Sequence, residues 1–167
     1  MEIPLMPSAN PASAESRLDP ALIRRNGAGR SIQRFNAQEA LICAMVLMAA
    51  SDRAMSDAEL GMMSRLVQEL PVFADFNAAE IEVVTETVLR LLDETDGLDR
   101  ACVMIREALP PRLRETAYVL ACEVAAADGD ATQEELRFLQ DLRIALDLDR
   151  LVAGAIERAA RARYQVL

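Results

Sequence analysis

At 167 residues the chain is the length of one domain able to bury its own core. Its formal net charge of −9 disfavours a phosphate backbone as partner, and the complete lack of histidine removes Ser–His and Cys–His nucleophiles and the commonest zinc ligand. Apolar residues make up 52% of the chain and aromatic ones only 4%, a Leu/Ala/Val/Ile/Met mixture that favours helices over strands.

Residues 1–30 contain Pro4, Pro7, Pro11 and Pro20 with Gly27 and Gly29, and are expected to form a flexible or loosely docked tail. They lack a basic start and a continuous apolar run, so they do not read as a secretory signal. A single helical domain is expected over residues 31–167.

The first helix is predicted from the capping box Asn36-Ala37-Gln38-Glu39 to about residue 51. Leu41, Ile42, Met45, Val46, Met48 and Ala49 leave it no polar face, which marks a helix surrounded by others. Ser56-Asp57-Ala58-Glu59 caps a second helix carrying Leu60, Met63, Leu66, Val67 and Leu70, stopped by Pro71. Asn77 with Glu80 reads as a third box, opening a helix with Ile81, Val84, Val88, Leu91 and Leu92 on one stripe. A fourth helix, about 98–109, aligns Ala101, Cys102, Ile105 and Leu109. The fifth starts at Pro111, a residue suited to a first helical turn, and repeats the apolar character of the first over 117–127, where Glu123 is the one charge. An Arg112 or Arg114 partner, or an exposed edge, accounts for Glu123; if buried, it would join the site below. Thr132 with Glu135 caps a sixth helix carrying Leu136, Leu139, Leu142, Ile144 and Leu146. The seventh, about 148–164, is expected to pack Leu151, Val152, Ala155, Ile156 and Ala159.

The runs 40–50 and 117–127 are about half of the ~20 residues that span a bilayer, so they read as core helices and no membrane insertion is expected. Cys43, Cys102 and Cys122 lie in apolar stretches without a Cys-x-x-Cys pair. They read as buried small hydrophobes, and an odd, unpaired set fits a reducing compartment. Of the basic clusters, Arg24-Arg25 lies in the tail, and Arg158, Arg161 and Arg163 close the last helix, where cations suit the helix dipole. No nucleic-acid partner is expected.

The strongest signal is a repeat. Ala49-Ala50-Ser51-Asp52, followed by Ser56, Glu59 and Leu60, recurs 76 residues later as Ala125-Ala126-Ala127-Asp128, followed by Thr132, Glu135 and Leu136. The expected architecture is therefore all-α, about seven helices in two duplicated halves, 36–109 and 111–164, with the two apolar helices paired at the centre.

Asp52 and Asp128 fall at helix C-termini, where a carboxylate meets exposed carbonyl oxygens. A cation bound by both would account for that placement. Glu59 and Glu135, seven residues on, supply a second carboxylate at each corner. With oxygen ligands only, the candidate ion is Ca²⁺ or Mg²⁺ and not zinc. Capping by itself also accounts for Glu59 and Glu135, and the register does not fit an EF-hand. No other cofactor is indicated. Met45, Met48, Met62 and Met63 read as core filling, or as the floor of an apolar groove for a partner helix.

The Ala-Ala-Ala-Asp128-Gly129 corner with Thr132 and Glu135-Leu136, preceded by a degenerate copy, resembles the TerB-like family. That family includes the bacterial tellurite-resistance protein TerB and similar membrane-tethered co-chaperone domains. The resemblance spans about residues 36–164. It implies a two-half helical bundle, a cytoplasmic location, a role in stress response or tellurite resistance, and divalent-cation binding at Asp52, Glu59, Asp128 and Glu135. Arg53 stands where the motif has Gly, so a guanidinium could replace the ion at the first corner. The expected function is a non-enzymatic interaction module with protein partners, a homodimer being compatible. The alternatives are an adaptor with an apolar groove and a carboxylate- and metal-dependent hydrolase.

Overall fold

Hydrogen bonding at the helix starts sets the frame. In the computed structural model, which describes residues 34–51, 55–127, 129 and 131–165, three of the predicted capping boxes are formed. Asn36 Oδ1 accepts from the Glu39 amide at 2.9 Å while Glu39 Oε2 accepts from the Asn36 amide at 2.7 Å. Ser56 with Glu59 and Thr132 with Glu135 repeat the exchange, with 3.2 and 2.7 Å at the first and 3.2 and 2.6 Å at the second. Each box satisfies two amides that a helix start would otherwise leave unpaired.

The described residues hold seven α-helices: α1 (Ala37–Ala49), α2 (Asp57–Glu69), α3 (Glu80–Leu92), α4 (Gly97–Ala108), α5 (Pro111–Ala125), α6 (Gln133–Ala145) and α7 (Arg150–Arg163). A single 3₁₀ turn, Pro71–Phe73, follows α2, and no strand occurs among these residues. The expected N-terminal tail lies outside them.

The box expected at Asn77 is not formed. Asn77 Oδ1 accepts from the Ala79 amide instead, at 3.1 Å, so α3 starts at Glu80 without a side-chain cap. A short polar side chain that bonds two residues ahead competes with a cap, and here it wins. A cap not foreseen starts α7: Asp149 Oδ1 accepts from the amides of Leu151 and Val152 at 2.8 and 3.2 Å.

α1 is buried without a break from Glu39 to Ala49. It packs most extensively on α5 and also on α3 and α4. α5 in turn meets α2, α6 and α7. α1 and α5 are therefore the paired centre, and the other five cover them. Around them lie the buried faces of Met62, Met63, Leu66 and Val67 of α2, Val84, Val88 and Leu91 of α3, and Ala101, Cys102 and Ile105 of α4.

The boxes also fix helix rotation, which corrects the expected stripes. Glu59 and Glu135 turn inward, each 3% exposed, so the next residue points out: Leu60 is 44% and Leu136 41% exposed. On α6 the buried line is Phe138, Leu139 and Leu142, the one-face spacing from Glu135, and Ile144 is exposed. On α7 the inward line is Ala153, Ile156 and Ala160, while Leu151, expected in the core, is 83% exposed and Ala155 and Ala159 are also exposed.

Gly97 starts α4 in close contact with the end of α3. A Cβ there would stand 1.6 Å from the Leu91 carbonyl oxygen. Gly97→Ala should lower stability by about 1–3 kcal/mol or more, and Leu120→Ala, in the fully buried part of α5, by about 2–5 kcal/mol. Urea unfolding checks both, and an unchanged midpoint in either variant would contradict this packing.

Candidate functional site

Of the four predicted cation ligands, Glu59 and Glu135 lie within the described residues, whereas Asp52 and Asp128 lie outside them. Both glutamates are buried at the entry of a helix, and Oε2 of each accepts from the amide of its own N-cap residue. Their carboxylates thus hold the corner that follows each central helix. At the second corner Gly129 has φ of 106°, the left-handed region that glycine enters without strain. Oxygen donors at these corners suit a hard cation such as Ca²⁺ or Mg²⁺. Among the described residues alone, no three Asp, Glu or Cys side chains gather closely enough to hold a metal ion.

Each corner opens on a recess. The first is lined by Ala50 and Ser51 at the end of α1, Asp93 after α3, and Glu134, Arg137 and Asp141 of α6. Ser51 Oγ is buried there with no hydrogen-bond partner among the described residues. The second recess lies between the end of α5, the start of α6 and the end of α7, with Cys122, Gly129, Leu139, Glu157 and Tyr164 on its walls.

The seam between α5 and α7 is closed by two crossed tyrosine–carboxylate pairs. Tyr118 of α5 donates to Glu157 Oε1 of α7 at 2.6 Å. Tyr164, which ends α7, donates to Glu123 Oε2 of α5. Arg163 Nη1 adds a bond to Glu123 Oε1 at 3.3 Å. The partners stand about forty positions apart in both pairs, so α5 and α7 run parallel with α6 as the return. Glu123 is 6% exposed, and its partners are Arg163 and Tyr164, not Arg112 or Arg114 as the sequence suggested. The lone charge of the apolar run pointed to a buried partner, but nothing in local spacing could place that partner some forty residues away.

The electrostatics keep the hydroxyls of Tyr118 and Tyr164 and the thiol of Cys122 protonated. Burial, and then the bond to Glu157, push the Tyr118 hydroxyl well above its ordinary range. Burial and Glu123 raise Tyr164. Burial, with the negative charges of Glu157 and Glu123, lifts the Cys122 thiol to about 12. Burial raises Cys43 as well, and Cys102 to about 11, so the three thiols stay uncharged near neutral pH and are poor nucleophiles. The seam offers hydrogen-bond donors and packing. The methionine groove also changes character: Met62 and Met63 are 3% and 4% exposed, and Met62 Sδ lies 3.6 Å from the Tyr164 hydroxyl, so both fill the core.

Residues 38–157 match the family model described as Tellurite resistance protein TerB. No curated protein and no solved structure gives a match to the chain. No helix among the described residues is long and apolar enough to cross a membrane.

A raised tyrosine pKa stabilises the fold fully below the unfolded-state value of about 10. As pH climbs past 10 the unfolded chain ionises first, and stability falls toward the folded-state value. Tyr118→Phe should therefore cost about 1 kcal/mol at pH 7 through the lost hydrogen bond, and should flatten the decline in Tm above pH 10. Melting curves from about pH 7 to 11 read both effects; an alkaline limb as steep as that of the parent chain would refute the assignment.

Proposed function

The chain belongs to the TerB family, and from that premise we propose that it is a non-enzymatic interaction module of a stress-response or tellurite-resistance system, with a divalent cation bound at its acidic corners. The observation that carries the cation reading concerns helix ends. α3, α4, α6 and α7 each have an arginine in the last turn, where it offsets the negative end of the helix dipole. α1, α2 and α5 have none, and of these α1 and α5 are the two buried helices. Each of these two is followed instead by an aspartate, Asp52 or Asp128, which adds negative charge at the same place. A bound Ca²⁺ or Mg²⁺ would neutralise carboxylate and carbonyl oxygens together.

The cation would be held by Asp128 with Glu135, and by Asp52 with Glu59, together with main-chain oxygens. Glu59 and Glu135 already have one oxygen engaged in capping. They would therefore hold the corner in place as much as ligate. The guanidinium of Arg53 follows Asp52 in the chain, whereas Gly129 follows Asp128, so the second corner is the stronger site. The non-enzymatic part of the reading rests on the absence of histidine from the chain and on the uncharged, buried thiols.

Calcium or magnesium at about ten times its Kd should add about 1.4 kcal/mol to the folded state, or roughly 3–6 °C in Tm at this domain size. Asp128→Ala should abolish most of that shift and Asp52→Ala less of it. Equal Tm with and without millimolar ion, in the parent chain and in Asp128→Ala alike, would eliminate the cation.

A further inference from the structure

α7 is the only described helix with a net positive charge, carrying Arg150, Arg158, Arg161 and Arg163 against Glu157 in a chain of net charge −9. Arg163, its side chain 65% exposed, bonds Glu123, and Glu157 accepts from Tyr118. Arg150, Arg158 and Arg161 are exposed and form no ion pair with any described residue. Spacings of eight and three put them on one face. The helix dipole accounts for Arg161 in the last turn but not for Arg150, which sits in the first, where a cation is unfavourable. Beside these arginines Leu151 stands 83% exposed, and Gly154, Ala155 and Ala162 keep the surface low enough for a helix to approach.

α3 presents the complement. Glu82, Glu86 and Asp93 are exposed in one line with Leu89, itself 43% exposed. Arg90, the neighbouring cation, folds back to bond the Glu86 carbonyl and Thr87 Oγ1. Arg150 to Arg161 and Glu82 to Asp93 are stretches of equal length, about 16 Å along a helix. We propose that α7 of one copy docks on α3 of a second copy, its arginines against the acidic line and Leu151 beside Leu89. The contact joins two different faces, so each copy offers one α7 and one α3 for association. Its exposed ion pairs are individually weak and salt-screened. The inference is independent of cation binding at the corners.

Sedimentation of the full chain over a wide concentration range, in ion-chelated buffer, tests this. At about 20 mM salt the average mass should rise with concentration above the 18.3 kDa of one chain, and at about 500 mM it should return to it. Arg158→Glu/Arg161→Glu and Glu82→Arg/Glu86→Arg should each shift half-association upward by tenfold or more. An equimolar mixture of the two variants should regain association, because each reversed face finds its complement. A chain that stays monomeric at low salt, association that salt strengthens, or a mixture as monomeric as its components would each overturn the proposal. Circular dichroism of both variants confirms that the exposed substitutions leave the fold intact.

Discussion

The mutual burial of α1 and α5 is the constraint on which the rest of the molecule depends. α1 has no polar face to give to water, and α5 exposes one only in its first turns around Arg112 and Glu115, so neither is stable except inside a shell of other helices. Five helices provide that shell, with α3 and α4 over α1, and α6 and α7 over α5. α2 bridges, since it follows α1 in the chain and packs against α5. The burial of Leu41, Met45, Met48, Tyr118 and Leu120 means that a change in one central helix is felt by the other.

The central helices and most helix starts were legible in the sequence because both depend on local information. An unbroken apolar run can only be interior, and a Ser, Thr or Asn followed three residues later by Glu states a cap in four letters. Rotation of the outer helices was harder to read. Leu136 and Ile144 are as apolar as Leu139 and Leu142, so periodicity alone admits more than one inward stripe on α6. The buried Glu135 selects among them, and its burial follows from the capping exchange with Thr132. Had the cap been used to set the phase, Phe138 would have been placed inside and Leu136 outside. At Asn77 the same four-letter pattern misled, because an Asx turn to Ala79 uses the same side-chain oxygen.

The α5–α7 seam was invisible to sequence reading for a different reason. Tyr118–Glu157 and Tyr164–Glu123 join residues some forty apart, and only the parallel course of α5 and α7 brings them together. Glu123 was conspicuous as the single charge in an apolar run, which signals a buried polar group with a partner but does not identify it. Its surroundings explain why the partner is doubled. A carboxylate so enclosed needs donors on both oxygens, and the end of α7 supplies a phenol and a guanidinium side by side. In this way the last helix is tied to the centre by polar contacts where its Ala153 and Ala160 offer little apolar area.

Burial of the central pair also carries an electrostatic consequence at its ends. An arginine in the last turn of α1 or α5 would have to place its guanidinium among core side chains, so the compensation that α3, α4, α6 and α7 obtain from Arg90, Arg106, Arg143 and Arg161 is closed to them. Charge at the carbonyl ends of α1 and α5 comes from the turn beyond or from a neighbouring helix, since Arg137 of α6 lines the recess at the end of α1 and Arg161 of α7 the recess at the end of α5. At the first corner the chain carries its own cation in Arg53; at the second it has Gly129, whose φ of 106° serves the turn but brings no charge. The asymmetry between two otherwise matching corners then has a physical meaning. Under the proposed cation reading, the corner with Arg53 has a cation in its own sequence, and the corner with Asp128 and Gly129 is the one that would gain most from an ion.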